Sequence, residues 1–191
     1  MVAHRYHIIL ASNSPRRKEL LAGIDVHFDV RVIPGIDESY PADLPTKDIA
    51  EYISRKKATV YQQQMADDEL IITADTIVVL DGEVMGKPHD EADASRMLHE
   101  LSGRTHQVIT GVTLTTTTRQ QSFSVETDVT FKSLSDEEIN YYIQHYKPFD
   151  KAGAYGIQEW IGHIGVTGLH GSYFNVMGLP VQRIYEALRQ F

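Results

Sequence analysis

Residues 11–21 read ASNSPRRKELL, a transition from strand to helix. The apolar run Ile8–Leu10 comes directly before this stretch and predicts a short buried strand. Ser14 is a favoured helix N-cap residue, and Pro15 stands at the first helical position, where its missing N–H is tolerated. The sequence therefore predicts a strand, a tight loop and a helix N-terminus in direct succession.

Two arginines, Arg16 and Arg17, fall in the first turn of this predicted helix. A helix N-terminus carries a partial positive charge, so cations there destabilise the helix by roughly a few tenths of a kcal/mol unless an anion joins them. With an anion present, free backbone N–H groups, the helix dipole and both guanidinium groups act on it together. Two interpretations stay open: the arginines point into water, or the loop is a phosphate-binding site.

Composition restricts the class of protein. A chain of 191 residues with 42% hydrophobic residues suits one large domain or two small lobes and is long enough for a sizeable core. Eighteen basic and 26 acidic residues give a net charge of −8, which disfavours non-specific nucleic-acid binding. The absence of cysteine excludes disulfides and thiolate metal sites. No stretch predicts a membrane span or a signal peptide, so the expected location is the cytoplasm.

The remaining chain alternates apolar strands with amphipathic helices. Strands are predicted over Val26–Ile33, Leu70–Leu80, His106–Thr118 and Ser122–Lys132. Helices are predicted over Thr46–Met65, after the N-cap residue Asp90, after the capping box Ser135/Glu138, and after Pro180. The stretches Phe149–Gln158 and Gly171–Pro180 show neither period, and their small residues are typical of backbone that passes close to a ligand. Tyr142, on the apolar stripe of the third of these helices, is expected in the core or at an interface.

Several charged residues stand in unusual positions. Asp75 interrupts the most apolar segment, and because an unpaired buried carboxylate is costly it must be paired, metal-bound or at the open end of the strand. Lys57 falls on the apolar stripe of its helix, so its ammonium either reaches water or points at a negative group. Lys87 lies in a loop flanked by Gly86 and Pro88. The loop acids Asp37 and Glu38 are candidate metal ligands or bases.

Together these residues suit the hydrolysis of a phosphoanhydride with a hard divalent cation. Four basic groups are available for negative charge: Arg16, Arg17, Lys57 and Lys87. The chain contains no Walker A sequence, no Rossmann glycine pattern and no G-x-S-x-G elbow, and its nine histidines show no metal-site spacing such as H-E-x-x-H.

Six short motifs in this order resemble those of the Maf family of nucleoside triphosphate pyrophosphatases. They are Ala11–Leu21, Ala74–Val78, Gly86–Pro88, Ser102–His106, Asp150–Gln158 and Gly171–Pro180. The resemblance covers essentially the whole chain and implies a single domain over residues 1–191. The implied fold is α/β: a long twisted mixed sheet flanked by helices, in two lobes around a central cleft, of the Maf/ITPase-like kind.

Within three of these motifs, the residues resemble those of the branch of the family that acts on dTTP and UTP. These residues are Ser14–Arg17, Ala74–Thr76 and Gly156–Gln158. The resemblance implies that Asp75 is the proton acceptor. It implies that three residues select the base, namely Arg16, Thr76 and Gln158. Other active-site positions of the family correspond to Ser12, Arg17, Glu38, Lys57 and Lys87. Glu38 and Asp75 are then the expected ligands of Mg²⁺ or Mn²⁺.

The implied reaction converts a nucleoside triphosphate to the monophosphate and pyrophosphate. Modified pyrimidine nucleotides are equally open as substrates. The family is also linked to septum formation, so an alternative is a nucleotide-binding regulator of cell division that needs no turnover. The expected partner is a small nucleoside triphosphate, without nucleic acid or membrane, and the sequence leaves a homodimer open.

Overall fold

The computed structural model describes residues 5–191, which fold into strands and helices. The strands are β1 (His7–Leu10), β2 (Asp29–Val30), β3 (Glu69–Leu80), β4 (Glu83–Met85), β5 (Thr105–Thr115), β6 (Gln120–Phe131) and β7 (Val166–His170). The helices are α1 (Pro15–Ala22), α2 (Thr46–Gln62), α3 (Glu91–Leu101), α4 (Asp136–Tyr146), α5 (Trp160–Gly165), α6 (Tyr173–Met177) and α7 (Val181–Leu188), with a 3₁₀ turn at Ala152–Ala154. Within residues 5–191, no helix has the length and apolar content needed to cross a bilayer.

The strands form one mixed sheet in the order β2-β1-β3-β5-β6-β7, with β4 paired to β3. β1 is parallel to both β2 and β3, whereas β3/β4 and β6/β7 are antiparallel pairs. β3 is an interior strand and is buried along its length except at Asp75 and Thr76, which are partly exposed. A strand covered on both faces needs a nearly continuous apolar sequence, and β3 has one. The predicted α/β class, with a mixed sheet and flanking helices, is confirmed.

The chain divides into two compact units. Unit 1 contains the described residues up to Asp75, together with Thr110–Val125 and Gly178–Phe191; its apolar packing includes a cluster of Ile9, Tyr61 and Ile71. Unit 2 contains Thr76–Ile109 and Glu126–Met177, and its core draws on α3, α4 and α5. The single domain over residues 1–191 stays a prediction, and the first four of those residues lie outside the described part.

The predicted strand over Val26–Ile33 is wrong in extent, because β2 contains two residues. β2 pairs with β1 in the register Ile9↔Asp29 and Leu10↔Val30. The Arg31 N–H still donates to Leu10 O at 3.2 Å, but β1 ends there and the chain enters the loop before α1. After Val30 the alternating apolar pattern therefore continues past the end of β1. Val26 and Phe28 belong to the same pattern but lie before β2.

The second correction concerns the aperiodic stretches. Gly171–Pro180 contains the helix α6, and the helix α5 and strand β7 follow Gln158 without having been predicted. Elements of five or six residues are too short to display a period. The longer predicted elements are confirmed to within a few residues, and the capping box of Ser135 and Glu138 begins α4 as expected.

Candidate active site

Two serine side chains shape the loop between β1 and α1. Ser14 is the N-cap of α1, and its Oγ accepts a hydrogen bond from the Arg17 backbone N–H at 3.4 Å. The Ser14 N–H in turn donates to Oγ of the buried Ser12 at 3.2 Å. Bonds of this local kind stabilise a turn and fix the start of the helix that follows. The predicted N-cap is confirmed, and Ser12 supports the turn that carries the two arginines.

The guanidinium of Arg17 lies against backbone carbonyls. Its Nε donates to Gly178 O at 2.8 Å, and its Nη1 donates to Ala74 O at 2.9 Å. Burial lowers the pKa of Arg17 below its ordinary value, and the nearby carboxylate of Asp75 offsets part of this effect. The interpretation that both arginines point into water is therefore wrong for Arg17. Arg16, in the same turn, is partly exposed.

Lys57 connects α2 to two carboxylates. Its Nζ lies 2.8 Å from Glu38 Oε1 and 2.8 Å from Asp75 Oδ1. The side chains of Lys57 and Asp75 are each 14% exposed, whereas that of Glu38 is 55% exposed. A carboxylate this deep needs a partner, and the ammonium supplies it. Of the alternatives for Asp75, the structure shows pairing, and Lys57 points at negative groups rather than into water.

The adjacent acids Asp37 and Glu38 have different partners. Asp37 Oδ2 lies 2.6 Å from Lys56 Nζ, and the Ser39 N–H donates to Asp37 Oδ1 at 2.9 Å. The bond from Lys56, followed by those from Ser39, holds the pKa of Asp37 far below its usual range. Asp37 therefore ties its loop to α2, while Glu38 contacts Lys57. The sequence gives no reason to distinguish these two carboxylates, whereas the structure shows that they pair with different lysines.

A group of buried hydroxyls, for which the sequence carries no motif, joins α2 to the sheet. Thr73 Oγ1 donates to Ser54 O at 2.8 Å, and Ser54 Oγ lies 2.8 Å from Thr113 Oγ1. Thr73 shares a face of β3 with Asp75, because side chains two apart in a strand point the same way. Ser54 lies one helical turn before Lys57. These hydroxyls therefore hold in register the two elements that carry the Lys57–Asp75 pair.

Gly111 on β5 permits the close approach of α2. A Cβ at this position would lie 2.2 Å from both the Ala50 carbonyl carbon and the Glu51 nitrogen. No side chain fits there, so the glycine sets the distance between helix and strand. Local sequence gives no signal for this role, because the contact joins residues far apart in the chain.

Three predicted site residues belong to unit 2. Thr76 follows Asp75 directly on β3 and is partly exposed. Lys87 is exposed and lines a cavity of about 340 Å³ formed by the loop after β4 and by α3. Gln158 follows the 3₁₀ turn, and residues 5–191 offer no hydrogen-bond partner to its buried Oε1. In unit 1 the structure brings four predicted site residues into contact or near contact: Arg17, Glu38, Lys57 and Asp75.

The fit of a divalent cation depends on Glu38 and Asp75. In the described part of the chain, no group of three or more His, Asp or Glu side chains is arranged to hold a metal ion. Glu38 and Asp75 nevertheless converge on one cation, the ammonium of Lys57. Mg²⁺ is commonly bound by one or two carboxylates and completes its shell with water and substrate phosphate oxygens. The two residues fit Mg²⁺ or Mn²⁺ when a phosphate ligand is present.

One family model and several curated relatives match this chain along nearly its whole length. The model of a family described as Maf-like protein matches residues 7–191. A dTTP/UTP pyrophosphatase of Phocaeicola vulgatus is 65% identical over 186 residues, which cover 97% of this chain and 96% of that protein. A protein of the same name from Bacteroides thetaiotaomicron is 59% identical, with the same coverage. Among solved structures, a nucleoside-triphosphatase / dITP/XTP pyrophosphatase from Mycobacterium abscessus has a TM-score of 0.45 and 14% identity, over 96% of this chain and 94% of that one.

Proposed function

The chain belongs to the Maf-like protein family, and from this premise we propose that it hydrolyses dTTP and UTP to the monophosphate and pyrophosphate. The single observation that carries the proposal is the contact of Asp75 with Lys57, next to the guanidinium of Arg17. It combines a carboxylate that can take a proton with cations that can bind a polyphosphate. The names of the two relatives described above support the choice of dTTP and UTP.

Asp75 acts as the proton acceptor in this proposal. A water molecule attacks the α-phosphorus, and the bond from that phosphorus to the bridging oxygen of the β-phosphate breaks. The attacking water loses a proton to the Asp75 carboxylate, and pyrophosphate leaves with the bridging oxygen. The bond from Lys57 Nζ to Asp75 Oδ1 holds one carboxylate oxygen, so the orientation of the base does not depend on the substrate.

The basic residues act on the charge of the substrate. A nucleoside triphosphate carries about four negative charges, and phosphoryl transfer depends mainly on positioning the phosphates and stabilising that charge. Arg17 is fixed by two carbonyls, so its guanidinium is oriented before any ligand arrives. Arg16, Lys57 and Lys87 complete the proposed set of cations.

A divalent cation, Mg²⁺ or Mn²⁺, belongs to the proposal as a cofactor held by Glu38 and Asp75. When bound, it would neutralise phosphate charge. The carboxylates of Glu38 and Asp75 are of the type that such hard cations prefer. In its absence Lys57 compensates the two carboxylates, as the contacts of its ammonium show.

Selection of the base is proposed for Gln158, together with Arg16 and Thr76. A glutamine amide presents one acceptor and two donors. It can accept from the N3–H of uracil or thymine and donate to the neighbouring carbonyl oxygen O4. Cytosine carries an amino group and a bare ring nitrogen at these positions, so the same amide meets the wrong pattern.

The test is a panel of nucleoside triphosphates incubated with Mg²⁺ and with Mn²⁺, with pyrophosphate and orthophosphate measured separately. We expect pyrophosphate from dTTP and UTP, and much slower reactions with ATP, GTP and CTP. Release of orthophosphate with a nucleoside diphosphate would contradict attack at the α-phosphorus. Binding of nucleotides without any product would instead favour the regulatory alternative.

A further inference from the structure

Tyr142 is a buried phenol whose hydroxyl lies in the core of unit 2. It projects from α4 and has no exposed surface. Its Oη accepts a hydrogen bond from the Gly156 N–H at 3.0 Å and donates one to Glu159 Oε2. Burial, followed by the bond to Glu159, raises the pKa of Tyr142 above its ordinary value, so the phenol keeps its proton. One hydroxyl therefore bonds to two positions of an otherwise irregular segment.

These two positions flank Gln158. Gly156 lies two residues before Gln158, and Glu159 lies directly after it. The Gln158 side chain also rests against Gly156, because a Cβ there would lie 2.9 Å from Gln158 Nε2. The same Cβ would lie 3.0 Å from the Glu159 carboxyl carbon. The segment is therefore packed tightly around the amide, and Tyr142 holds it from the core side.

A buried lysine compensates the charge of Glu159. Lys151 Nζ lies 3.2 Å from Glu159 Oε1, and its side chain is 9% exposed. It also lies 2.8 Å from Asp150 Oδ1. A carboxylate that receives a hydrogen bond at one oxygen and an ammonium at the other has a defined orientation. Lys151 thereby fixes Glu159 as Tyr142 fixes Gly156.

The amide at the centre of this arrangement is incompletely satisfied. Gln158 Oε1 is buried, and residues 5–191 offer it no hydrogen-bond partner. A buried acceptor without a donor is destabilising, so such atoms are uncommon in proteins. A ligand that supplies an N–H would satisfy it, and the imide N–H of uracil and thymine is such a donor.

We propose that Tyr142 and Glu159 are positioning residues that set the base selectivity of this protein through Gln158. The inference rests on the proposed function, in which Gln158 contacts the base. Neither residue touches the substrate in this scheme. They hold the Gly156 backbone before Gln158 and the Glu159 side chain after it, so that Gln158 Oε1 keeps the direction needed for an imide N–H.

The test compares UTP with CTP in steady-state pyrophosphate release. In Tyr142→Phe we expect KM for UTP to rise about tenfold, which corresponds to the loss of one typical hydrogen bond. The values of kcat for UTP and of KM for CTP should stay close to those of the unaltered protein, so the UTP/CTP ratio of kcat/KM falls about tenfold. Glu159→Ala should have the same effect, and Glu159→Gln, which keeps an oxygen acceptor for Tyr142, should restore most of the selectivity.

Tyr155→Phe is the matched control. It removes the hydroxyl of another buried tyrosine, next to Gly156 in the chain, but the partner of that hydroxyl is His106 Nε2 at 2.6 Å. We expect it to lower stability and leave the UTP/CTP ratio unchanged. The inference is overturned if Tyr142→Phe keeps the ratio, or if Tyr155→Phe lowers it equally. A protein that releases no pyrophosphate from any nucleotide would contradict the proposed function itself, which is a different result.

Discussion

The charged cluster of unit 1 (Glu38, Lys57 and Asp75) and the Gln158 segment of unit 2 (Gly156–Glu159) differ in the chemistry of their side chains and in their backbone structure. In unit 1, charges of both signs compensate one another, and the residues of the Lys57–Asp75 pair lie on a helix and an interior strand. In unit 2, a neutral amide lies on irregular backbone, and a phenol and an ion pair hold it from the core. Fixed charges suit chemistry on a polyanion, whereas an unsatisfied neutral acceptor suits discrimination between bases.

The difference teaches how each region can fail. In the cluster of Lys57, Glu38 and Asp75, removing one charge leaves the opposite charge uncompensated. This changes the electrostatics of the reaction directly. In the segment around Gln158, a substitution of Tyr142 or Glu159 leaves the Gln158 amide in place chemically but changes its position. Substitutions in the first region should therefore lower kcat, and those in the second should change selectivity or stability.

The largest expected effect belongs to Asp75→Asn. The amide keeps the shape of the side chain but cannot accept the proton of water, so kcat should fall about 10³-fold. The free energy of unfolding should change by less than about 1 kcal/mol, because Lys57 retains Glu38 as a partner. Steady-state pyrophosphate release and urea denaturation measure the two quantities. Near-normal turnover would mean that Asp75 is structural and that the base lies elsewhere.

Lys57→Gln is the next largest change, and the neighbouring Lys56 provides its control. Without the Lys57 ammonium, Glu38 and Asp75 lose their shared cation, and we expect kcat to fall about 10²-fold. Lys56→Gln removes a lysine of the same helix that pairs with Asp37, so turnover should be kept. Equal losses of kcat in both variants would show that the two lysines act only through general charge or helix stability.

The smallest effect concerns acid stability in unit 2. Burial lowers the pKa of His106 to about 4, and its Nε2 bonds to the hydroxyl of Tyr155. Between pH 6.5 and 4 the unfolded chain binds a proton at this histidine that the folded chain excludes, so stability falls as the pH falls. From pH 7 to pH 5 the loss should be about 2 kcal/mol, a value that follows from the shift in pKa.

His106→Gln should remove this part of the pH dependence, which urea denaturation at pH 7 and pH 5 measures. Other titrating groups, such as the His7–Asp29 pair of unit 1, are the same in both proteins, so the difference between them isolates the contribution of His106. If the variant loses as much stability as the unaltered protein over this range, other groups are responsible for the acid sensitivity.

Much of the fold could be predicted because its signals are local. The N-cap of α1 and the capping box of α4 join residues three apart, and the apolar run of β3 requires burial wherever it lies. The extent of β2 could not be predicted, because it depends on backbone pairing with β1, a strand about twenty residues earlier in the chain. The elements α5, α6 and β7 escaped prediction because they are too short for a period.

The candidate site divides in the same way. The sequence by itself determined that Asp75 needs a partner and that Lys57 is out of place on an apolar stripe, because burial of a charge is costly in any fold. It could not show that Lys57 and Asp75 form an ion pair with each other. Nor could it show that Lys56 pairs with Asp37 while Lys57 pairs with Glu38. The hydroxyls of Ser54 and Thr73 and the supports of Gln158 also belong to the tertiary structure.

The physical reason is the distance along the chain over which each interaction acts. Helix caps, turns and periodic burial are determined by neighbours within a few residues, so the sequence alone specified the strand–loop–helix unit at Ile8–Leu21 and the buried strand around Asp75. Tyr142 and Gly156, or Lys57 and Asp75, meet only after the chain has folded. The sequence therefore determined which residues need a partner, and tertiary packing decided which residue that partner is.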